Sequence, residues 1–552
     1  MADLRETRRE QMFPVLTAAQ LSRLEAFGKR LALRAGTVLA EPGERFGGAV
    51  VVLSGALEVL RPDIAGDQLL TVHAAGQFAG EISSLRGAGG FVRVRVRDDA
   101  EVISLDHEGL LRLMQGDSEL SELFMRAFIL RRLGLLQNSK QGDVILLGSS
   151  HSAGTLRVQQ FLGRNGFPHV YIDVDHDADV ADFLERFQVA VEDVPVVICR
   201  GQVLKNPGNA VLAECLNMNA PLDECEMRDV VVIGAGPAGL AAAVYAASEG
   251  LKVLVLETTA AGGQAGSSSK IENYLGFPTG ISGGALAGRA MTQAQKFGAE
   301  VAVASSAVRL GCEARPYTVE LSDGRVVRAR TIVIATGAEY RQLALDNLAS
   351  FVGAGVYYAA THIEAQVCRG EEVVVVGGGN SAGQAAVFLA TDCQHVNIVV
   401  RGAGLAETMS RYLINRIQES RAIELHTHTE IAALEGDGRL ERVTWRCATS
   451  GEVVTEDIRH LFLMTGAVPN TGWLDGCLAL DEKGFIRTGT DLRAEDLAAS
   501  AWPLARPPHL LETSLPGIFA VGDVRAGSMK RVAAAVGEGS ACVQLVHRAL
   551  QE

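Results

Sequence analysis

The feature that most constrains this chain is a short β-branched run, Val230–Ile233. It enters Gly234-Ala235-Gly236-Pro237-Ala238-Gly239 and passes straight into an alanine-rich helical pattern from Leu240 to Ser248. In such a strand–turn–helix, Gly234 permits the tight turn, Gly236 lets a pyrophosphate approach the backbone, and Gly239 allows close helix–strand packing. The phosphates would sit on the free N–H groups at the helix N-terminus. A glycine turn alone could serve only to pack a helix. Here the next strand, Val253–Leu256, ends on Glu257, an acid at about the spacing that reads a ribose hydroxyl. The stretch predicts a dinucleotide site.

The pattern recurs downstream. Val373–Val376 enters Gly377-Gly378-Gly379-Asn380-Ser381-Ala382, with alanine at the third small position. Two dinucleotide folds in one chain imply a cofactor pair, FAD and a nicotinamide, with the flavin receiving hydride. The strand after the second fingerprint, Val396–Val400, ends on Arg401 rather than an acid, which suits the 2′-phosphate of NADPH. Gly402 and Ala403 stand where more positive charge is expected, and Arg411 on the next helix is the candidate to compensate. NADPH is favoured, with NADH as the alternative.

With 552 residues the chain is too long for one core, so three or four domains are expected. Its 51 basic and 65 acidic residues argue against a general nucleic-acid binder, which needs a phosphate-neutralising surface. No apolar run approaches the length that spans a bilayer, and the charged N-terminus lacks a signal-peptide core. The expectation is a soluble, cytoplasmic protein without a membrane partner. Nine cysteines are dispersed with no C-x-x-C and no Cys/His cluster at zinc spacing. They read as reduced thiols, mostly core fillers, and no metal is expected.

Residues 1–139 begin with an amphipathic helical pattern, Leu16 to Leu31, followed by short strands separated by glycines. Val50–Leu53 and Leu57–Leu60 flank Ser54-Gly55, a hairpin signal. Val92–Val96 alternates apolar with basic, and a helical tail runs from Asp106 to about Leu136. The pattern resembles the cyclic-nucleotide-binding domain, a β jelly roll closed by helices. That resemblance implies a phosphate cassette in which a Gly-Glu pair holds the ribose and an arginine pairs with the cyclic phosphate. Gly80-Glu81 fits the first half. Phe91 or Val92 stands at the arginine's place, with Arg93 and Arg86 nearest. Losing a bidentate partner removes a strong hydrogen-bond type. The preferred reading is a scaffold that no longer binds cyclic nucleotide; the alternative is a regulatory pocket of Gly80, Glu81 and Arg93 with altered ligand preference. No helix-turn-helix pattern follows, so a transcription factor has no support.

Residues 143–222 read as strand Val144–Leu147, helix Thr155–Asn165, strand Val170–Asp175, a helix around Val180–Phe187, and a proline-opened strand Val194–Ile198. This order resembles the thioredoxin/glutaredoxin fold, which implies a cis Val194–Pro195 bond. On that resemblance the redox C-x-x-C falls on Ser152-Ala153-Gly154-Thr155. Both thiols are missing, so thiol–disulfide exchange there is excluded. Docking, between the flanking domains or to a partner, is the role left to it, and the neighbouring His151 reads as a polar loop residue.

From 229 to 552 several motifs follow in order: Ala261–Gly266, Ile271–Pro278, Thr331–Ala338 and Pro516–Asp523, then Arg531-Val532-Ala533. They resemble the low-molecular-weight thioredoxin reductases of the pyridine-nucleotide–disulfide oxidoreductase class. The resemblance implies two Rossmann-like α/β domains: an FAD domain split into 229–347 and 461–552 around a nicotinamide domain at 350–460. Gly262, Gly263, Gln264 and Asn273 would line the FAD, with Asn273 near the isoalloxazine. Ala335, Thr336 and Gly337 would close the first FAD half. Gly522 and Asp523 would hold the ribityl chain, and Arg531, Val532 and Ala533 the flavin edge. The family's dithiol aligns with Ala359-Ala360-Thr361-His362, where neither cysteine stands and Cys368 is solitary and displaced. His362 is a candidate to protonate reduced flavin or acceptor, since imidazole titrates near neutrality; a loop histidine without chemistry is the alternative. The long loop Asp491–His509 reads as a surface insertion. The expected protein is an NADPH-oxidising flavoenzyme passing electrons from FAD to an unidentified acceptor: a protein carrier, a quinone or oxygen. The rivals are a flavin-containing redox or ligand sensor without turnover, and a thioredoxin-disulfide reductase by family label. Family analogy implies a homodimer.

Overall fold

The computed structural model describes residues 8–42, 44, 48–61, 67–80, 84, 92–137, 144–149, 152–174, 193–200, 202–268, 270–341, 343–345, 347–474 and 476–552. Its N-terminal unit is a six-stranded sheet in which Lys29–Leu33, Arg93–Asp106, Gly48–Arg61 and Gln68–Ala74 are successive neighbours. Alternation decides which face is core. Val94 and Val96 are buried, while Arg93 and Arg95 turn outward to Glu41, Asp67 and Glu58. Helices His107–Gly116 and Ser118–Gln137 close the unit, and Phe78 stacks on Phe124 at 4.0 Å.

Two local signals are overridden here. The helix expected over Leu16–Leu31 is confined to Ala18–Leu24, closed at its start by a Thr17/Gln20 capping box. Lys29–Leu33 is instead a strand paired with Ala100–Ser104. Gly28 packs so tightly that a Cβ there would fall 2.8 Å from the Ser104 carbonyl oxygen. The hairpin expected at Ser54-Gly55 is one continuous strand, Gly48–Arg61, with register shifts around Ser54 and Ala56. Gly55, at φ +79°, absorbs the irregularity, and pairing with an equally long neighbour outweighs the turn signal.

The middle unit has a four-stranded sheet ordered Gln202–Lys205, Val196–Cys199, Val144–Gly148, Val170–Asp173. Val144–Gly148 runs parallel to Val170–Asp173 and antiparallel to Val196–Cys199. Helix Ala153–Arg164 covers it with Val158, Phe161 and Leu162. The Val194–Pro195 peptide is cis, as expected. The expected helix around Val180–Phe187 and His151 lie outside the described residues.

Two larger α/β units follow. In the first, Val253–Glu257, Met227–Ile233 and Val326–Ile334 form a parallel core, and Ile518–Ala520 returns from far downstream to pair in parallel with Val326–Ile334. The second has a five-stranded parallel sheet: Val356–Tyr357, His460–Leu463, Glu372–Val376, His395–Val399, Ile423–His426. Strand His460–Leu463 sits inside that sheet, so the unit extends past the expected boundary at 460. The chain crosses between the two units through one antiparallel ribbon, Ala338–Tyr340 against Ala467–Pro469.

The cysteines require a correction. Four of them form two disulfides, Cys199–Cys215 and Cys312–Cys477, with Cα–Cα distances of 6.6 and 6.2 Å, inside the range a disulfide spans. Sequence separations of 16 and 165 hid both pairs, because the fold rather than local spacing brings them together. Cys368, Cys393 and Cys542 are buried fillers, as expected.

Two measurements check this picture. Thiol titration of denatured, unreduced protein should count five thiols, Cys225, Cys368, Cys393, Cys447 and Cys542, rising to nine after reduction. The second concerns His73, which is buried and pushed down to about 3 by burial and then by the charge of Arg131. It is neutral in the fold, whereas an unfolded histidine protonates near pH ~6.5. Its folded-state pKa is depressed, so its contribution to stability holds above ~6.5 and is lost as pH falls toward about 3. Acid unfolding of the N-terminal unit, followed by circular dichroism, should begin in that window and shift to lower pH in His73→Leu.

Candidate active site at the junction of two dinucleotide folds

The first fingerprint turn is held by contacts only glycine tolerates. Gly234 has φ +103°, and a Cβ there would lie 2.4 Å from the Ala335 carbonyl oxygen. At Gly239 a Cβ would lie 1.9 Å from the Gly234 carbonyl oxygen. Gly236 differs, since no heavy atom lies within 4 Å of its Cβ position. Packing therefore does not require glycine at 236. The space left open is what close approach of a pyrophosphate requires, so the turn fits FAD. Helix Pro237–Ser248 starts there with proline in its first turn and no side-chain cap, leaving its first N–H groups for an anion.

Glu257, at the end of strand Val253–Glu257, is held by backbone N–H groups. Its carboxylate accepts from the backbone N–H groups of Ala235 at 2.8 Å, Thr259 at 2.9 Å and Ala260 at 3.1 Å. A carboxylate has about four acceptor sites, so this one ties two loops together and keeps one for a hydroxyl. Gly262 and Gly263 both have positive φ, and a Cβ on Gly263 would sit 3.1 Å from the Gly236 Cα. The loop thus lies directly on the fingerprint turn. Gln264 donates to the Ala338 carbonyl at 3.2 Å, joining the loop to the ribbon.

The second half-site closes on the first. A Cβ on Gly522 would meet the Ala238 Cβ at 2.9 Å, and the Gly522 N–H donates to Glu538 at 2.7 Å. Asp523 is pushed above the ordinary carboxylate value by burial, which Lys530 partly opposes. Arg531 precedes helix Val532–Gln551, whose first residues, Val532 and Ala533, have no side-chain cap. Thr336 donates to the Asn470 carbonyl at 2.9 Å, and the Asn470 N–H donates to Gly337, so this stretch also anchors the ribbon. Asn273 is exposed.

The nicotinamide-type turn repeats the design. A Cβ on Gly377 would fall 2.3 Å from the Met464 carbonyl oxygen, while Gly379 faces open space out to 4.0 Å. Asn380 accepts from the Ser410 N–H at 2.7 Å, so the helix carrying Ser381 and Ala382 begins beside the helix that Arg411 opens. Arg401 and Arg411 are exposed, and neither forms an ion pair among the described residues. Two unclaimed cations beside this turn suit a 2′-phosphate.

Sequence reasoning missed the contact that brings the units together. Arg416 of the second unit pairs with Glu272 at 2.6 Å, beside Asn273. Burial opposes the charge on Glu272, but Lys270 and Arg416 outweigh it and hold the carboxyl below its ordinary value. No local pattern signals a pair 144 residues apart. His362 is exposed at the start of helix His362–Val367, edge-on to Phe388 at 5.3 Å. In the N-terminal unit Arg93 is already held by Glu41 at 2.9 Å and by Asp67, and the Gly80 carbonyl accepts from Arg131 at 2.8 Å; Glu81 lies outside the described residues. The Asp491–His509 loop is tied inward. Its Arg506 reaches buried Glu512 at 2.7 Å and Glu552 at 2.5 Å, and it contains helix Ala494–Ala499. Among the described residues no group of His, Cys, Asp and Glu could hold a metal, and no helix is long and apolar enough to cross a membrane.

Comparison with known proteins agrees with this geometry. Residues 228–539 match the pyridine nucleotide-disulphide oxidoreductase family, and residues 30–117 match the cyclic nucleotide-binding domain. Thioredoxin reductase of Bacillus subtilis (strain 168) is 30% identical over 331 residues, covering 60% of this chain and 97% of that protein. The Streptomyces clavuligerus enzyme is 32% identical over 315 residues, covering 57% and 91%. Among solved structures, Lactococcus lactis thioredoxin reductase in its FR conformation aligns with TM-score 0.53 at 28% identity, over 59% of this chain and 99% of that one. Thioredoxin reductase of T. acidophilum aligns at 0.51 and 28%, over 58% and 98%. The chain belongs to the pyridine nucleotide-disulphide oxidoreductase family: it is a thioredoxin reductase-like, FAD-dependent NAD(P)H oxidoreductase with an N-terminal cyclic nucleotide-binding domain.

Proposed function

We propose that this chain oxidises NADPH and passes the electrons from its flavin directly to an external acceptor, with no internal dithiol between them. The observation that carries this reading is that both dinucleotide cradles are intact while no C-x-x-C occurs anywhere in the sequence. The positions that align with the family's dithiol, Ala359–His362, hold no sulfur, and Cys368 is buried, its thiol pushed far above the ordinary value chiefly by burial. A thiol held protonated is a poor nucleophile. The two disulfides lie elsewhere: Cys312 follows the edge strand Ala307–Gly311, and Cys199–Cys215 is in the middle unit.

In this reading the bound flavin supplies the two-electron chemistry. The chain's residues do the positioning. Gly234, Gly236 and the N-terminus of helix Pro237–Ser248 seat the pyrophosphate, and Glu257 fixes the ribose loop. Asp523, with Gly522, meets the ribityl chain, and Arg531, Val532 and Ala533 the flavin edge. Arg401 and Arg411 select NADPH over NADH. The Arg416–Glu272 pair seats the nicotinamide unit beside the flavin loop. Among the described residues Phe388 is the ring neighbour of His362, which is exposed at a helix start, and this favours a histidine without chemistry over a proton donor.

The middle unit reads as a thioredoxin-like fold whose active-site thiols are replaced by Ser152 and Thr155. The N-terminal domain reads as a scaffold in which Arg93 is already satisfied by carboxylates. A homodimer remains the inference from family analogy.

Rapid mixing with NADPH should bleach the flavin within seconds. Reoxidation should follow with quinone or oxygen, while oxidised thioredoxin gives no turnover above background. Absence of bleaching would favour the sensor reading, and efficient thioredoxin reduction would end the proposal. Replacing both Arg401 and Arg411 by alanine should raise KM for NADPH roughly ten- to a hundredfold, the loss of two charge-assisted contacts, and leave KM for NADH nearly unchanged.

A further inference from the structure

Helix Ala153–Arg164 and the turn after it touch all three other units. Ala153, Leu156, Gln160 and Arg164 recur at three- and four-residue steps and so share one face. Ala153 abuts Gly353, where a Cβ would sit 2.8 Å from its own Cβ. Leu156 is buried not in the core of its own unit but in that of the nicotinamide unit, with Tyr357 and Ala360. Gln160 donates to Glu364 at 2.6 Å; that carboxylate is 1% exposed and also accepts from the Thr361 N–H at 2.8 Å. At the other end Arg164 donates to the Gly263 carbonyl at 2.9 Å and Asn165 to the Thr259 carbonyl at 3.0 Å. Beyond it, the Gly166 carbonyl accepts from Arg132 of the N-terminal unit at 2.6 Å.

We propose that this helix is a built-in occupant of the face carrying Ala359–His362, and that it clamps the nicotinamide unit to the FAD unit. Three features carry the inference. The helix grips both units at once: Leu156 and Gln160 hold one, Arg164 and Asn165 the other. The covalent connection between those units is only the ribbon of Ala338–Tyr340 and Ala467–Pro469, so rotation of one on the other requires the clamp to release. Finally, a protein disulfide to be reduced through positions 359–362 would have to sit where Leu156 and Gln160 sit. Resting on the function proposed above, this means that the acceptor reaches the flavin by a route that does not cross this face. Arg132 gives the N-terminal domain a direct hold on the end of the clamp.

The test uses full-length protein with FAD bound. Gln160→Glu sets a half-buried carboxylate against the buried one of Glu364 and should release the helix. Backbone hydrogen exchange over residues 357–368 should then rise by roughly tenfold or more. The double variant Gln160→Glu/Glu364→Gln restores a donor–acceptor pair and should return exchange to near the wild-type rate, with flavin content equal in all three. Leu156→Asp, which alters a contact outside the middle unit's own core, should reproduce the increase and serves if Gln160→Glu fails to fold. Unchanged exchange in both released variants would overturn the clamp. Exchange reads docking without turnover, so a wild-type protein that fails to bleach with NADPH would defeat the proposed function and leave this result standing.

Discussion

Everything in the catalytic half depends on backbone meeting backbone at Gly234, Gly239 and Ala335. At those points the fingerprint turn, its helix and the end of strand Val326–Ile334 approach to distances no Cβ allows. Any side chain at Gly239 would push helix Pro237–Ser248 off the sheet. That helix also receives Gly522 and Gly539 from the last segment of the chain, so the second half-site is positioned by the first. A local requirement for three small residues thus fixes where a segment nearly three hundred residues away must land. The second unit repeats the device at Gly377 against Met464.

Against that rigid frame, the nicotinamide unit meets the rest through polar links together with the buried Leu156. Among the described residues, a ribbon, the Arg416–Glu272 ion pair and helix Ala153–Arg164 join the nicotinamide unit to the rest. Exposed ion pairs contribute little to stability, and Arg416 and Glu272 are only partly shielded. Such an interface suits a unit whose orientation can change, with buried Glu364 anchored through half-buried Gln160.

Legibility followed the range of the interaction. Both glycine turns between strand and helix could be read from the chain, because glycine spacing and strand-to-helix order are local and dictated by sterics. The cis Val194–Pro195 peptide is an expectation of the resemblance to the thioredoxin/glutaredoxin fold alone, since cis is rare for X-Pro bonds in general. The helix over Leu16–Leu31 failed because Gly28 is committed to a contact with Ser104 that no local window contains. The hairpin at Ser54-Gly55 failed for the same reason: a bulge and a turn use the same residues, and only the partner strand decides between them. The disulfides, the Arg416–Glu272 pair and the stripe on helix Ala153–Arg164 are tertiary, and nothing in the spacing of those residues announces them. That the stripe reaches into another unit's core is visible only once Leu156 is seen beside Tyr357.

The central claim is that the flavin is the one redox centre that NADPH can fill, despite two disulfides in the same polypeptide. An anaerobic titration of the flavin-loaded protein with NADPH, followed by flavin absorbance and by thiols released, tests it most directly. Full reduction at about one equivalent of NADPH per flavin, with no new thiols, is the predicted result. Uptake of about two equivalents with the appearance of a thiol pair would contradict it, because a disulfide in the chain would then be sharing the electrons.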